Sequence, residues 1–184
     1  MTNTKLNNSL FIFRRDLRLQ DNTALDEALT HSKIVIPVFI FDERQLGDNP
    51  YKSTAAIEFM LESLAELNSD LNNYGSRLYC FKGVAEKIFE RLINEISIDA
   101  IFLNTDYTPF SRMRDDRIKQ NAIKTGIKFF DYHDALLHPP GTVIKDDGKP
   151  YTVYTPFAKK ARSKIVPKPK QLAHSNFYTG SLEG

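Results

Sequence analysis

The sequence predicts an α/β domain: an open, doubly wound sheet of five parallel strands with helices on both faces, followed by an irregular tail. Three observations predict it. Short apolar runs alternate with stretches of helical period, the order that builds parallel sheets. One run, Lys33 to Phe41 (KIVIPVFIF), is nearly continuous in apolar residues, as a strand covered on both faces requires. Glycines stand just past two helical stretches, at Gly75 and Gly126, where a left-handed residue closes a helix.

Taken in order, Ser9 to Phe13 reads as the first buried strand, after a polar start (residues 1–8) expected to be disordered. Asp21 to Thr30 reads as a short helix with Asp21 or Asn22 as N-cap and Leu25, Ala28 and Leu29 facing inward. The run from Lys33 to Phe41 is the second strand, although Pro37 cannot donate to a ladder and argues against a central position. Ile57, Met60, Leu61, Leu64, Leu67 and Leu71 recur at helical spacing and predict a helix over 53–74. Arg77 to Lys82 is a third strand, and Val84 to Ile96 a helix with an Ile88, Phe89, Leu92, Ile93 and Ile96 stripe. Asp99 to Asn104 is the fourth strand. A helix over 109–125 follows, with Thr108 as cap and Pro109 in its first turn, and Ile127 to Tyr132 is the fifth strand. Right-handed crossovers make this a Rossmann-like sheet over residues 9–132. Residues 133–184 read as loop and extended linker, rich in proline and glycine, which is odd for a self-contained domain.

The totals exclude several classes. Of 184 residues, 41% are hydrophobic and 26% charged, ordinary values for a globular protein, and the net charge of +2 singles out no partner. The tail differs. Residues 133–184 hold 8 Lys/Arg against 4 Asp/Glu, and six of those cations lie between Ala158 and Lys170. The single cysteine, Cys80, sits in strand-like sequence, which rules out an internal disulfide and predicts a buried, inert thiol. No apolar run is long enough to span a membrane and the start is not a signal peptide, so the chain is expected to be soluble and cytoplasmic, or nuclear or organellar in a cell with organelles.

Ligands of open α/β sheets bind beyond the carboxyl ends of the strands. The loop after the first strand has no glycine, so neither a dinucleotide fingerprint nor a P-loop is present. The histidines His31, His133, His138 and His174 show no metal spacing, and no catalytic residue can be assembled from spacing alone. Asp115 and Asp116, among Arg112, Arg114, Arg117 and Lys119, read as a solvated, ion-paired helix face. Two segments stand out. Arg14, Arg15, Asp16 and Arg18 crowd the mouth of the first strand, as either a surface ion-pair network or a polar lock against a partner domain or an anion. Tyr151 to Phe157 (YTVYTPF) is an aromatic run with little core left to join, and suggests interdomain packing through Tyr154 and Phe157.

Four segments in register resemble the photolyase/cryptochrome family: FRRDLRLQDN (Phe13 to Asn22), NTDYTPFSRMRD (Asn104 to Asp115), LLHPPG (Leu136 to Gly141) and YTVYTPF. The resemblance runs from about Ser9 to Phe157 and implies the N-terminal light-harvesting domain of a deoxyribodipyrimidine photolyase. The family joins this domain through a connector to a helical domain that binds FAD and the lesion in damaged DNA. The chain is expected to stop inside the connector, inactive alone, with an uncovered surface that self-associates. By the same resemblance an antenna chromophore sits at the strand ends, walled by Phe39, Phe41, Asp42, Arg44, Asn49, Tyr51 and Lys52 and by Asp106, Phe110 and Ser111. Folate-using bacterial members carry an Asn-Glu pair where this chain has Phe110 and Ser111, which favours FMN or a deazaflavin over folate, or no antenna. Lys159, Lys160 and Arg162 are candidates for the DNA backbone. Two other readings stay open: a blue-light signalling cryptochrome, and a free-standing small α/β nucleotide-binding protein.

Overall fold

In the computed structural model, which describes residues 5–47 and 53–182, eleven elements follow one another: β1 (Leu6–Phe13), α1 (Thr23–His31), β2 (Ser32–Phe41), α2 (Glu43–Leu46), α3 (Thr54–Asn72), β3 (Tyr79–Lys82), α4 (Ala85–Glu95), β4 (Ala100–Asn104), α5 (Pro109–Lys124), β5 (Lys128–Tyr132) and α6 (Tyr154–Arg162). The strands form one sheet in the order β3-β2-β1-β4-β5, and every pairing is parallel. Alternation along β1 divides the core. Leu10 and Ile12 join Ile88, Phe89 and Leu92 of α4 and Ile118 of α5 on one face. Phe11 and Phe13 join Leu25 and Leu29 of α1 and Leu64, Leu67 and Leu71 of α3 on the other. The chain reverses direction across the sheet between β1 and β4, which opens a crevice at their carboxyl ends.

Capping follows the sequence closely. Asn22, Ser53 and Thr108 each accept a backbone N–H at the start of α1, α3 and α5. Several features differ from expectation. First, β1 begins at Leu6, where residues 1–8 were expected to be disordered. Its polar start is held by the Asn7 N–H donating to Asp99, by Asn8 donating to the Ser97 carbonyl (2.9 Å), and by pairing of Leu6 with Ser32. Second, Pro37 does occupy a central strand. Val35, two residues earlier, exchanges backbone bonds with the tail at Asn176 (2.9 Å) and Tyr178 (2.8 Å). Pro37 turns to that same side, in the gap before β3 begins opposite Val38, so no rung of the ladder is lost there.

Third, the tail is more ordered than its composition suggests. It contains α6, and Phe177, 6% exposed, packs beside Tyr74 on the α3 face of the sheet. The segment fills the edge of β2 that short β3 leaves open. Lys170 and Leu172 are tied back to the β1–α1 loop through Asp21 and Gln20. Cys80, expected to be buried, is exposed on β3; partial burial still pushes its thiol pKa up. No described helix is long and apolar enough to cross a membrane.

Candidate ligand cleft at the carboxyl ends of the strands

Two cavities meet at the carboxyl ends of β1, β2 and β4. The first, about 230 Å³, is walled by Phe39, Phe41, Leu46 and Met60, with Arg14, Arg15, Asp106 and Arg114 on its polar side. The second, about 400 Å³, lies over the β1–β4 crevice, bounded by Asn104, Tyr107, Asp134 and Leu136. Arg14, Arg15 and Asp106 belong to both, so they form a polar partition between an aromatic slot and a wider cavity.

The apolar wall is fixed by β2. Phe39 and Phe41, on one face of the strand, contact edge to face with ring centres 4.9 Å apart. The polar side is fixed by α5, where Ser111, Arg114, Ile118 and Ala122 recur on one buried stripe. The guanidinium of Arg14 grips both carboxylate oxygens of Asp115, and Arg114 Nε reaches the same carboxylate at 3.1 Å. One carboxylate thus serves two guanidiniums. The Nη2 atoms of both arginines are buried and meet no acceptor among the described residues. Such groups are costly to leave unpaired. Burial, and then the neighbouring Arg14 charge, pull the Arg114 pKa down.

Burial alone would raise the Asp106 pKa. The Thr108 N–H, the Ser111 hydroxyl (2.9 Å) and the charges of Arg14 and Arg15 outweigh it, and hold the carboxyl below its usual range. Beside the slot, Asp42 caps α2 and is bonded twice by Arg44, which also forks onto Glu86 of α4. Burial opposes the charge on Asp42 and Glu86, but their bonds to Arg44 prevail and keep both carboxyls low. Arg117 adds a second cation to Glu86 at 3.1 Å. Phe110 lies beneath Arg44 and Arg114, 5.2 and 5.8 Å from its ring centre.

The structure therefore sorts the residues expected from the sequence. Phe39, Phe41, Asp42 and Asp106 line the slot, while Arg44 and Phe110 stand behind it in the ion-pair network and Ser111 is buried as a support for Asp106. Asn49, Tyr51 and Lys52 lie outside the described residues. Arg14 and Arg15 border the slot. Asp16 does not face outward as an interdomain contact: it is buried, accepting from the Arg14 N–H, Asn22 and Asn104. Arg18 is half-exposed but engaged with Asp134 at 2.7 Å, and Asp134 in turn receives the N–H and hydroxyl of Thr23. Tyr154 and Phe157 are exposed on α6. Lys159, Lys160 and Arg162 occupy the last turn of that helix, with Lys160 3.2 Å from Asp146.

Arg114, Asp115 and Met60 were missed as site residues. The expectation that the α5 charges form a solvated face is corrected for Arg114, which is 6% exposed. Its spacing of four before Ile118 and eight before Ala122 was the available signal, since those residues mark the buried stripe. No group of three or more potential metal ligands occurs among the described residues.

A family model described as DNA photolyase matches residues 9–173. The deoxyribodipyrimidine photo-lyase of Agrobacterium fabrum is 40% identical over 146 residues, covering 79% of this chain and 29% of that protein. Cryptochrome-2 of Arabidopsis thaliana is 32% identical over 168 residues, covering 87% and 27%. The archaeal photolyase from Sulfolobus tokodaii, whose crystal structure holds two FAD molecules, superposes with a TM-score of 0.85 at 44% identity. That match covers 93% of this chain and 38% of the archaeal one. The chain spans about a third of the length of the curated photolyases it matches.

Proposed function

Because the chain belongs to the DNA photolyase family, we propose that it is the light-harvesting α/β domain of a deoxyribodipyrimidine photolyase and that its cleft holds a flavin-type antenna. The observation that carries this reading is the pairing of an aromatic slot with two buried guanidiniums that have donors to spare. A planar, acceptor-rich ring suits that combination: Phe39, Phe41 and Met60 supply apolar contact, and Arg14 and Arg114 supply unclaimed N–H groups. The slot's 230 Å³ falls below the roughly 300–1,000 Å³ of typical ligand sites, so it would take a ring system and leave the rest outside. A ribityl phosphate or a diphosphate would then cross Arg14 and Arg15 into the wider cavity, where those guanidiniums favour it and the carboxylates of Asp16, Asp106 and Asp134 are already engaged within the domain. FMN, FAD and a deazaflavin share this chemistry.

Folate fits less well. Where folate-using members carry an Asn-Glu pair, Phe110 stacks under two arginines and the Ser111 hydroxyl is committed to Asp106. The archaeal relative described with two FAD molecules and a novel light-harvesting cofactor adds support for a flavin. When bound, such a chromophore absorbs near-UV or blue light and passes the excitation on. The residues of this chain bind and orient it and exclude water from its ring. The repair chemistry, acting on damaged DNA, would lie in the FAD-binding helical domain that the family resemblance implies, within the two-thirds of such proteins that this chain does not span. Exposed Tyr154 and Phe157 would meet that domain, and Lys159, Lys160 and Arg162 would lie toward the DNA.

A photolyase reading is favoured over a cryptochrome because two photolyases match at 40% and 44%, whereas two cryptochromes match at 32% and 33%, a level that other photolyases share. The test is an absorption titration of the purified chain with FMN, FAD, a deazaflavin and a folate. Saturable binding of a flavin or deazaflavin is expected, weakened about tenfold by Phe41→Ala, the loss of about 1.4 kcal/mol of ring contact. Saturable folate binding with none for the flavins would overturn the flavin-type assignment of the cleft.

A further inference from the structure

Along the β5 edge of the sheet lies a cavity that the light-harvesting reading leaves unused. It is about 430 Å³, walled by Lys5, Leu6, Thr30, His31, Phe102, Lys128, Phe130 and Tyr132. Its floor is an aromatic stack. Phe102 of β4 and Phe130 of β5 are register partners whose rings stack at 4.7 Å, and the Tyr132 ring lies within 7° of parallel to Phe102. Phe102 is buried, whereas Phe130 and Tyr132 are only half-buried.

The stack ends at β5 because β5 is the last strand of the sheet. Neighbouring strands lie about 4.8 Å apart, so the position beyond Phe130 is spaced for one more ring. On this face α1 covers β1 and β4 and reaches β5 only in part, since the chain leaves β5 as irregular structure without a returning helix. Charge then narrows the occupant. The wall includes Lys5, Lys128 and the His31 ring but no carboxylate. Asp131 alternates to the opposite face of β5, and Glu27 of α1, though its charge is felt at Tyr132, is engaged with His31 at 3.2 Å. An aromatic floor with cations at one end suits a flat ring that carries an anionic group.

We propose that this groove binds a nucleoside monophosphate, its base stacked on Phe130 and Tyr132 and its phosphate between Lys5 and Lys128. Base–aromatic stacking tolerates any base, because every base presents a π face. The cavity volume lies within the range of small-molecule sites. The same chemistry is offered by a free nucleotide and by the end of a single strand.

The test follows amide chemical shifts of the labelled chain during titration with AMP, adenosine, ribose 5-phosphate and a single-stranded tetranucleotide. Saturable shifts confined to residues 128–132, 30–31 and 5–6 are expected with AMP. Adenosine and ribose 5-phosphate, each lacking half of the recognition, should bind at least tenfold more weakly. Lys128→Glu, on the exposed edge, should weaken AMP about tenfold or more without changing the fold. Whichever of AMP and the tetranucleotide binds more tightly identifies the source. Three results would overturn the proposal: ribose 5-phosphate binding as well as AMP, no effect of Lys128→Glu, or AMP shifts centred on Arg14 and Asp106. The last would place the nucleotide in the light-harvesting cleft, so failure here is distinguishable from failure of that reading.

Discussion

Replacing Asp16 with alanine tests whether the first loop is a structural lock. The carboxylate is buried between β1, α1 and β4, where it accepts from the Arg14 N–H (2.9 Å), Asn104 Nδ2 (2.5 Å) and Asn22 Nδ2 (3.3 Å). Asn104 and Asn22 keep other partners after the change: Asn104 still donates to Asn22 Oδ1, and Asn22 to the carbonyls of Asp16 and Arg18. The Arg14 N–H loses the acceptor shown here. A hydrogen bond to a charged group contributes about 1.5–3 kcal/mol, and a stranded buried donor costs about 1–3 kcal/mol. Because the bonds share one network they do not add, and a net loss of about 3 kcal/mol is expected. For a domain of this length that lowers the melting temperature by about 6–12 °C. Urea unfolding should show an earlier midpoint with an unchanged slope. A loss below about 1 kcal/mol would refute the argument, because an outward-facing Asp16 held for a partner domain would behave that way.

Four further outcomes follow from the same geometry. Asp42, Glu86 and Asp106 have pKa values held below their unfolded values, so the stability they contribute is full above about pH 5 and is lost as pH falls through the folded values. Denaturation midpoints at pH 7 and pH 3.5 measure that loss. Arg44→Met removes the guanidinium from two largely buried carboxylates, leaving Asp42 without a cation and Glu86 with Arg117 alone, and should cost about 3 kcal/mol at pH 7, with a shallower acid dependence than the parent chain in the same assay. Phe177→Ala removes a buried ring from the α3 face and should cost about 3 kcal/mol by urea unfolding, whereas a purely extended tail would give no change. Sedimentation should show concentration-dependent self-association that Tyr154→Asp with Phe157→Asp reduces, since both side chains are exposed on α6.

The strand count, the helix faces and most caps were legible because each rests on local chemistry. Leu64, Leu67 and Leu71 mark a buried stripe whatever they pack against, and Thr108 with Pro109 marks a helix start. What escaped was decided by distant partners. Asn7 and Asn8 look like solvent-exposed polar residues until Asp99 and Ser97, some ninety positions on, supply their bonds. Pro37 looks unfit for a central strand until the tail at Asn176 and Tyr178 takes the adjoining edge. Arg114 looks solvated until Arg14 arrives from β1 to share Asp115. A sequence window carries none of these pairings, because each joins elements that topology brings together.

The loop FRRDLRLQDN shows how one motif divides its labour by direction. Asp16 and Asn22 are turned into the domain, where they bind β4 and the start of α1, and half-exposed Arg18 reaches back to Asp134 after β5. That arrangement makes the loop rigid, and its backbone can bend so tightly that Asp21 takes a positive φ of 51°. Rigidity has a use here. Arg14 and Arg15 lie between two cavities, and an N–H that must meet a ligand gains most when its own backbone does not need ordering on binding. The orphaned Nη2 of Arg14 is tolerable for the same reason: its other nitrogen is fastened to Asp115, so the whole guanidinium is held in place before any acceptor arrives. Structural residues of the motif therefore act on the cleft through Arg14. Loss of Asp16, which borders the wider cavity but not the slot, should weaken binding of the ring in the slot through Arg14.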